Sequence, residues 1–138
     1  MEKKLRHISG AIKQSGRKIL HHYPITSPQF IALQWLLEEG DLTIGELSQK
    51  NGLAFSTTTD LVDRMEKNGL VLRTRDTNDR RVVRIQVLDK GKKIIKEVIR
   101  KRQAYLGDVL ETFSESEKDT LNELLTKLHE QMKIINDQ

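Results

Sequence analysis

Between Thr43 and Val87 the local periodicity of the chain changes from helix to helix to strand, and that succession constrains the fold more than any other feature. Thr43-Ile44-Gly45-Glu46 has the spacing of a capping box, in which a threonine oxygen and a glutamate carboxylate satisfy the free amides that open a helix. The short helix this predicts carries Leu47 and ends near Asn51-Gly52. After a three-residue connection, Ser56 to Gly69 reads as a second helix, with Leu61, Val62 and Met65 on its buried face and Asn68-Gly69 as its stop. Two short helices joined by a tight, glycine-containing turn form a helix-turn-helix unit. Leu70 to Thr74 is then a strand candidate, and Val83 to Val87 alternates apolar and polar residues at the strand period of two. Arg75-Asp76-Thr77-Asn78-Asp79-Arg80-Arg81 between them combines turn formers with arginines that resist burial, which predicts a β-hairpin with a basic tip.

The flanking segments are helical. Leu5, Ile8, Ile12 and Ile19 share one face of a first helix, and Tyr23-Pro24 breaks it. Ser27-Pro28 supplies an N-cap followed by proline at the first helical position. The helix that follows, with Phe30, Ile31, Leu33, Trp35, Leu36 and Leu37, is apolar on most sides and predicted to be buried, with Gly40 as its stop. Beyond the hairpin, Ile94, Ile95, Val98, Ile99, Tyr105, Leu106, Val109 and Leu110 make a long amphipathic stretch beginning between Asp89 and Lys92. Ser114-Glu115-Ser116-Glu117, a second capping box, opens a helix carrying Leu121, Leu124, Leu125, Leu128, Met132 and Ile135. The expected fold class is mainly α, a winged helix-turn-helix with a two-stranded β wing and N- and C-terminal helices forming a dimerisation bundle. Residues 1–138 form one domain in this reading, with a DNA-binding part at 25–90 and helical dimerisation parts at 1–24 and 91–138.

Composition narrows the function. A chain of 138 residues, 36% of them hydrophobic, has the size of one ordinary domain with its own core. It has no cysteine, so disulfide scaffolds, thiol catalysis and cysteine-based redox sensing are excluded. Met1 to His7 is charged and no apolar stretch follows it, so a soluble cytoplasmic protein with no membrane partner is expected. His7, His21, His22 and His129 are the only histidines, and there is no HExxH, glycine-rich phosphate loop or GxSxG, so no enzyme and no cofactor are expected. The pair His21-His22 allows a metal-responsive alternative with acidic partners. Adjacent histidines beside a helix break are more ordinarily solvated, and no metal site is assigned.

The net charge of +4 is uninformative until it is segmented. Residues 1–22 carry +5, residues 23–72 carry −4, residues 73–102 carry +8 and residues 103–138 carry −5. A helix-turn-helix followed by a basic hairpin suits DNA. The second helix of such a unit enters the major groove by its N-terminal residues. Ser56, Thr57 and Thr59 are the candidate base readers, because short hydroxyls donate and accept without bulk and a threonine methyl can touch thymine. The same hydroxyls could instead cap and hydrogen-bond their own helix start. Asp60 is tolerated near phosphates only if it accepts from cytosine or pairs with an arginine, and Arg64 either meets the phosphate backbone or pairs within the protein. In the wing, Arg75, Arg80 and Arg81 suit a narrow minor groove, Asn78 shapes the turn, and Asp79 orients an arginine through a charge-assisted bond. A winged helix used only for protein contact is the rival, and the basic wing argues against it.

Thr26-Ser27-Pro28-Gln29-Phe30, Leu42-Thr43-Ile44-Gly45-Glu46-Leu47, Leu61 to Val71 and Arg75 to Arg81 together resemble the MarR family of winged helix-turn-helix transcriptional regulators. Two positions depart from the family pattern. Leu88 replaces a frequent threonine, which passes capping of the long helix to Asp89, and Ala54 replaces a frequent serine, which moves the cap of the recognition helix to Phe55-Ser56. The resemblance implies a homodimer on a pseudo-palindromic double-stranded operator, acting chiefly as a repressor. It also implies a small aromatic or phenolic ligand between the dimerisation and DNA-binding parts. Tyr23, Phe30, Trp35 and Tyr105 are the aromatic residues available to line that pocket. The apolar faces of residues 5–19, 94–110 and 121–135 exceed what a small winged helix covers alone, which also points to a dimer.

Overall fold

The computed structural model describes residues 1–137, which form two compact units, Met1–Arg102 and the chain from Gln103 onward. The elements run α1 (Glu2–Leu20), α2 (Ser27–Glu39), β1 (Leu42–Thr43), α3 (Ile44–Asn51), α4 (Phe55–Lys67), β2 (Val71–Arg75), β3 (Val83–Val87), α5 (Asp89–Val109) and α6 (Glu115–Asn136).

Local chemistry sets most of these boundaries. The Thr43–Glu46 box forms as expected: Thr43 Oγ1 accepts from the Glu46 amide at 3.1 Å and Glu46 Oε1 from the Thr43 amide at 3.3 Å. The start of α2 differs from expectation. Thr26, not Ser27, is the cap, and Gln29 closes the box by accepting from the Thr26 amide at 3.0 Å. Proline at the second helical position is as harmless as at the first, because that amide has no partner within the helix. Gly52 ends α3 at φ 67°, a left-handed conformation that costs a residue with a Cβ, and this permits the tight turn into α4. That helix starts at Phe55, with Ala54 at the cap position in extended backbone and no side-chain cap bond. The expected cap at Phe55-Ser56 is therefore wrong: both residues lie inside the helix. Asp89 is likewise the first residue of α5 rather than its cap.

The sheet has the order β1-β3-β2 and is antiparallel throughout. Val71 pairs with Val87 and Arg73 with Ile85, which closes the wing, while Leu42 pairs with Ile85 from the other side. The wing hairpin was expected and the third strand was not, since two residues carry no alternation and Thr43 doubles as the α3 cap.

The core of the first unit joins Phe30, Leu33 and Leu36 of α2, Leu47 of α3, Val62 and Met65 of α4, and Leu70, Val71 and Ile85 of the hairpin. Ile94, Ile95 and Val98 of α5 complete it, so the compact unit extends past residue 90 to Arg102. Gly91 makes this approach possible, since a Cβ there would lie 2.8 Å from the Leu70 carbonyl oxygen and 2.9 Å from Val87 Cγ1. Each fully buried Leu or Val contributes about 1.5–3 kcal/mol of hydrophobic transfer.

In the second unit the Ser114–Glu117 box opens α6, with Glu117 Oε1 accepting from the Ser114 amide at 2.9 Å. No residue of α6 is buried, and Leu124, Leu125, Leu128, Met132 and Ile135 are all exposed. In the first unit, α1 likewise exposes Leu5, Ile8 and Ile12 and buries only Leu20.

Candidate nucleic-acid interface

The packing of α4 decides which of its side chains are available. Thr58, Val62 and Met65 recur at helical spacing and are wholly buried, which fixes the rotation of the helix. Thr58 Oγ1 donates to the Ala54 carbonyl at 3.1 Å, so the one buried hydroxyl of the four is used structurally. Ser56, Thr57, Asp60 and Arg64 are exposed. Thr59 is half-buried and its hydroxyl donates to the Phe55 carbonyl at 3.0 Å, leaving its lone pairs and methyl free. Among the described residues Asp60 and Arg64 have no ion pair, so neither neutralises the other. Thr57, Asp60 and Arg64 border one open cleft of about 400 Å³ with Thr26, Pro28 and Gln29 at the start of α2. No acidic residue occupies the first turn of α4 and no side chain caps it, which leaves the positive end of the helix available to an anion.

The wing tip is folded by its own carboxylates. Asp76 Oδ2 accepts from the amides of Asn78 and Asp79 at 3.0 and 2.9 Å, a tight local turn. Asp79 receives both Nε and Nη2 of Arg81 at 3.1 Å, together with the Arg81 amide at 3.1 Å. Asp79 thus orients an arginine, as expected, and the Arg81 guanidinium holds the Asp79 carboxyl below the usual carboxylate range. The Arg81 side chain is 91% exposed, so this pair orients more than it stabilises. Arg75 is exposed and spans the loop, with Nη1 donating to the Arg80 carbonyl at 2.7 Å. Asn78 is exposed beside it, and Arg80 is exposed with no ion pair among the described residues.

Two arginines that sequence reasoning missed tie this wing to the rest of the unit. Arg84 Nε donates to Asp76 Oδ1 at 2.9 Å, and its Nη1 donates to the Asp41 carbonyl at 3.1 Å and lies 3.5 Å from Glu46 Oε1. One guanidinium therefore joins the wing loop, the entry to β1 and the first turn of α3. Its bond is the main cause of a depressed Asp76 pKa, with the Asp79 and Asn78 amides adding to it. Arg73 holds α4 to β2: Nη1 donates to Glu66 Oε1 at 2.8 Å and Nη2 to Asp63. The Arg73 amide also donates to Glu66 at 3.0 Å and is the largest cause of that carboxyl's lowered pKa. The Arg84 and Asp41 positions are 43 residues apart, so no local spacing signals the contact.

The three aromatic candidates of the first unit are not gathered into one pocket. Phe30 lies under the Arg102 guanidinium at 4.7 Å and borders a cleft of about 270 Å³ with Lys13, Arg17, Leu20 and Ile31. Tyr23 borders a second cleft, also touched by Arg17 and Leu20. Trp35 lines neither of these and sits beneath Lys50, whose Nζ is 5.1 Å from its ring. Tyr105 is exposed in the second unit. His21 and His22 are exposed with ring centroids 6.3 Å apart, and among the described residues no three His, Asp or Glu side chains cluster as they would around a metal ion. No described helix is long and apolar enough to cross a membrane.

Residues 25–83, from two residues before α2 to the first residue of β3, match the model of the MarR family. The chain is 59% identical to the HTH-type transcriptional regulator YsmB of Bacillus subtilis (strain 168) over 133 residues, 96% of this chain and 91% of the relative. The chain belongs to the MarR family. Like its MarR relatives it is a winged-helix transcriptional regulator and not an enzyme. A solved MarR family protein from Bacillus stearothermophilus superposes with a TM-score of 0.92 at 62% identity, over 96% of this chain and 92% of that one. A transcriptional regulator of Thermotoga maritima superposes with a TM-score of 0.78 at 34% identity, over 99% and 96% of the two chains. The MarR match contains both parts of the interface, the start of α4 and the wing tip.

Proposed function

We propose that this MarR-family regulator is a cytoplasmic homodimer that binds a pseudo-palindromic operator, represses transcription from it, and is released by a small aromatic ligand. The observation that carries the reading is the combination, in one folded unit, of an uncapped, hydroxyl-bearing helix start and a preformed cationic wing. In this reading α4 enters the major groove, with Ser56, Thr57 and Thr59 at base edges, Asp60 accepting from a cytosine and Arg64 on the backbone. Arg75, Arg80 and Arg81, on a turn shaped by Asn78 and Asp79, approach the adjacent minor groove.

Dimerisation is supported by the uncovered faces of α1 and α6. One α4 and one wing make few phosphate contacts, so a single copy would bind weakly, whereas two copies place their helices about one DNA turn apart. An aromatic acid suits the cleft at Phe30, where Lys13, Arg17 and Arg102 supply positive charge around an apolar floor. Tyr23 borders the adjoining space, and Trp35 stands outside it. A gel shift against the protein's own promoter tests the central reading. Discrimination over random duplex at low salt is expected, and equal binding to both would refute it.

A further inference from the structure

We propose that Phe55 reads DNA sequence by packing its ring against the C5 methyl of one operator thymine, an inference that rests on α4 entering the major groove. Phe55 is the first residue of α4 and is 62% exposed, the most exposed aromatic side chain among the described residues. Phe55 extends the Thr58, Val62 and Met65 stripe by one turn but is not among the core residues. Proline and acidic residues suit the first helical position, and phenylalanine is a weaker helix former than alanine or leucine. The core face of α4 is already supplied by Thr58, Val62 and Met65.

Side chains on a helix lean toward its N-terminus, so the ring of Phe55 projects at the end of α4 that reaches base edges in a helix-turn-helix. Ser56 and Thr57, the next residues of the same first turn, are exposed on other sides of the helix. An exposed apolar ring complements the methyl group that thymine presents in the major groove. A protein partner fits less well. Such a partner needs a contiguous apolar patch, and the neighbouring exposed residues of α4 are Ser56, Thr57 and Asp60. Leu53, at 37% exposure, and the small exposed Ala54 are what extends the apolar surface along the chain. The long uncovered apolar faces lie on other elements, α1 and α6.

The test uses the full chain and an operator selected from random duplex, with each thymine replaced singly by uracil, which removes only the methyl. For the unchanged protein, one position in each half-site is expected to lose about 4-fold in affinity, the worth of one methyl-sized group. Phe55→Ala is expected to bind thymine and uracil operators equally at that position, and Phe55→Leu to keep part of the difference. Since the side chain is exposed, both variants should retain the unchanged protein's thermal unfolding midpoint. A thymine-to-uracil ratio unchanged in Phe55→Ala at every position would overturn the proposal. So would an unchanged ratio accompanied by easier dimer dissociation, which would assign Phe55 to a contact between copies. Operator binding that persists in either case leaves the reading of α4 standing. Failure of the unchanged protein to select any duplex would remove that reading and this proposal together.

Discussion

The stretch from Leu20 to Val98 and the two terminal helices are both rich in regularly spaced apolar residues, with opposite results. In the first, Leu33, Leu47, Val62, Met65 and Ile85 are wholly buried by their own chain. In the second, Ile8 and Ile12 of α1 and Leu124, Leu125, Met132 and Ile135 of α6 are at least half exposed. Binary patterning thus states that a face must be covered without stating what covers it. The winged helix is finished by one chain, whereas the terminal helices keep apolar faces uncovered, which the proposed homodimer would cover.

Charge placed on an unfinished face should do the most damage. Leu128→Asp is expected to give a monomer by sedimentation and to cut operator affinity by about 1,000-fold, toward the non-specific level. A variant that stays dimeric would move the interface away from the apolar face of α6. Within the finished region, Leu33→Ala should lower stability by about 2–5 kcal/mol in urea unfolding while the folded fraction remains dimeric. A loss of dimer at folded concentrations would blur the distinction between the two regions.

Smaller effects should come from the wing. Arg84→Met frees the tip from Asp41 and the α3 start, and about a 10-fold loss of operator affinity is expected with no change in dimerisation. Arg81→Ala should make the slope of log affinity against log salt shallower by about 1 at every sequence, whereas Thr57→Ala should change which sequences are selected. The least effect is that of mild acid. Asp76 and Asp79 have folded-state pKa values below their unfolded ones, so their contribution is full above the unfolded value and is lost as pH falls through the folded one. Wing order, followed by amide exchange at Asn78 and Asp79, should therefore be constant from neutral pH down to the ordinary aspartate range and decline only below it.

What could be read in advance was local. The boxes at Thr43 and Ser114 each span four residues and both formed, and the Asn68-Gly69 stop appears with Gly69 at φ 74°. The cap of α2 was misplaced by one residue because Thr26 and Ser27 are equally good caps, and Gln29 decides between them by closing the box on Thr26. Of the hydroxyl run Ser56 to Thr59, the structure buries Thr58 and leaves the others exposed or half-exposed, a difference that the run of like residues does not signal. The Arg84 tie to Asp41 joins positions that only the folded sheet brings together, and the Arg73 tie depends on how α4 meets β2, so neither follows from local spacing. The exposure of Phe55 is likewise a tertiary property that its place in the sequence does not signal. The candidate ligand aromatics read as one group in sequence, yet Phe30 and Tyr23 border clefts and Trp35 is covered by Lys50.

The central claim is that two copies of this chain read one duplex. Selection of bound sequences from random DNA with the purified protein tests it most directly. The account predicts an enriched pseudo-palindrome whose half-sites are centred about 10 base pairs apart. Enrichment of a single unrepeated site, or no enrichment over the starting pool, would contradict it.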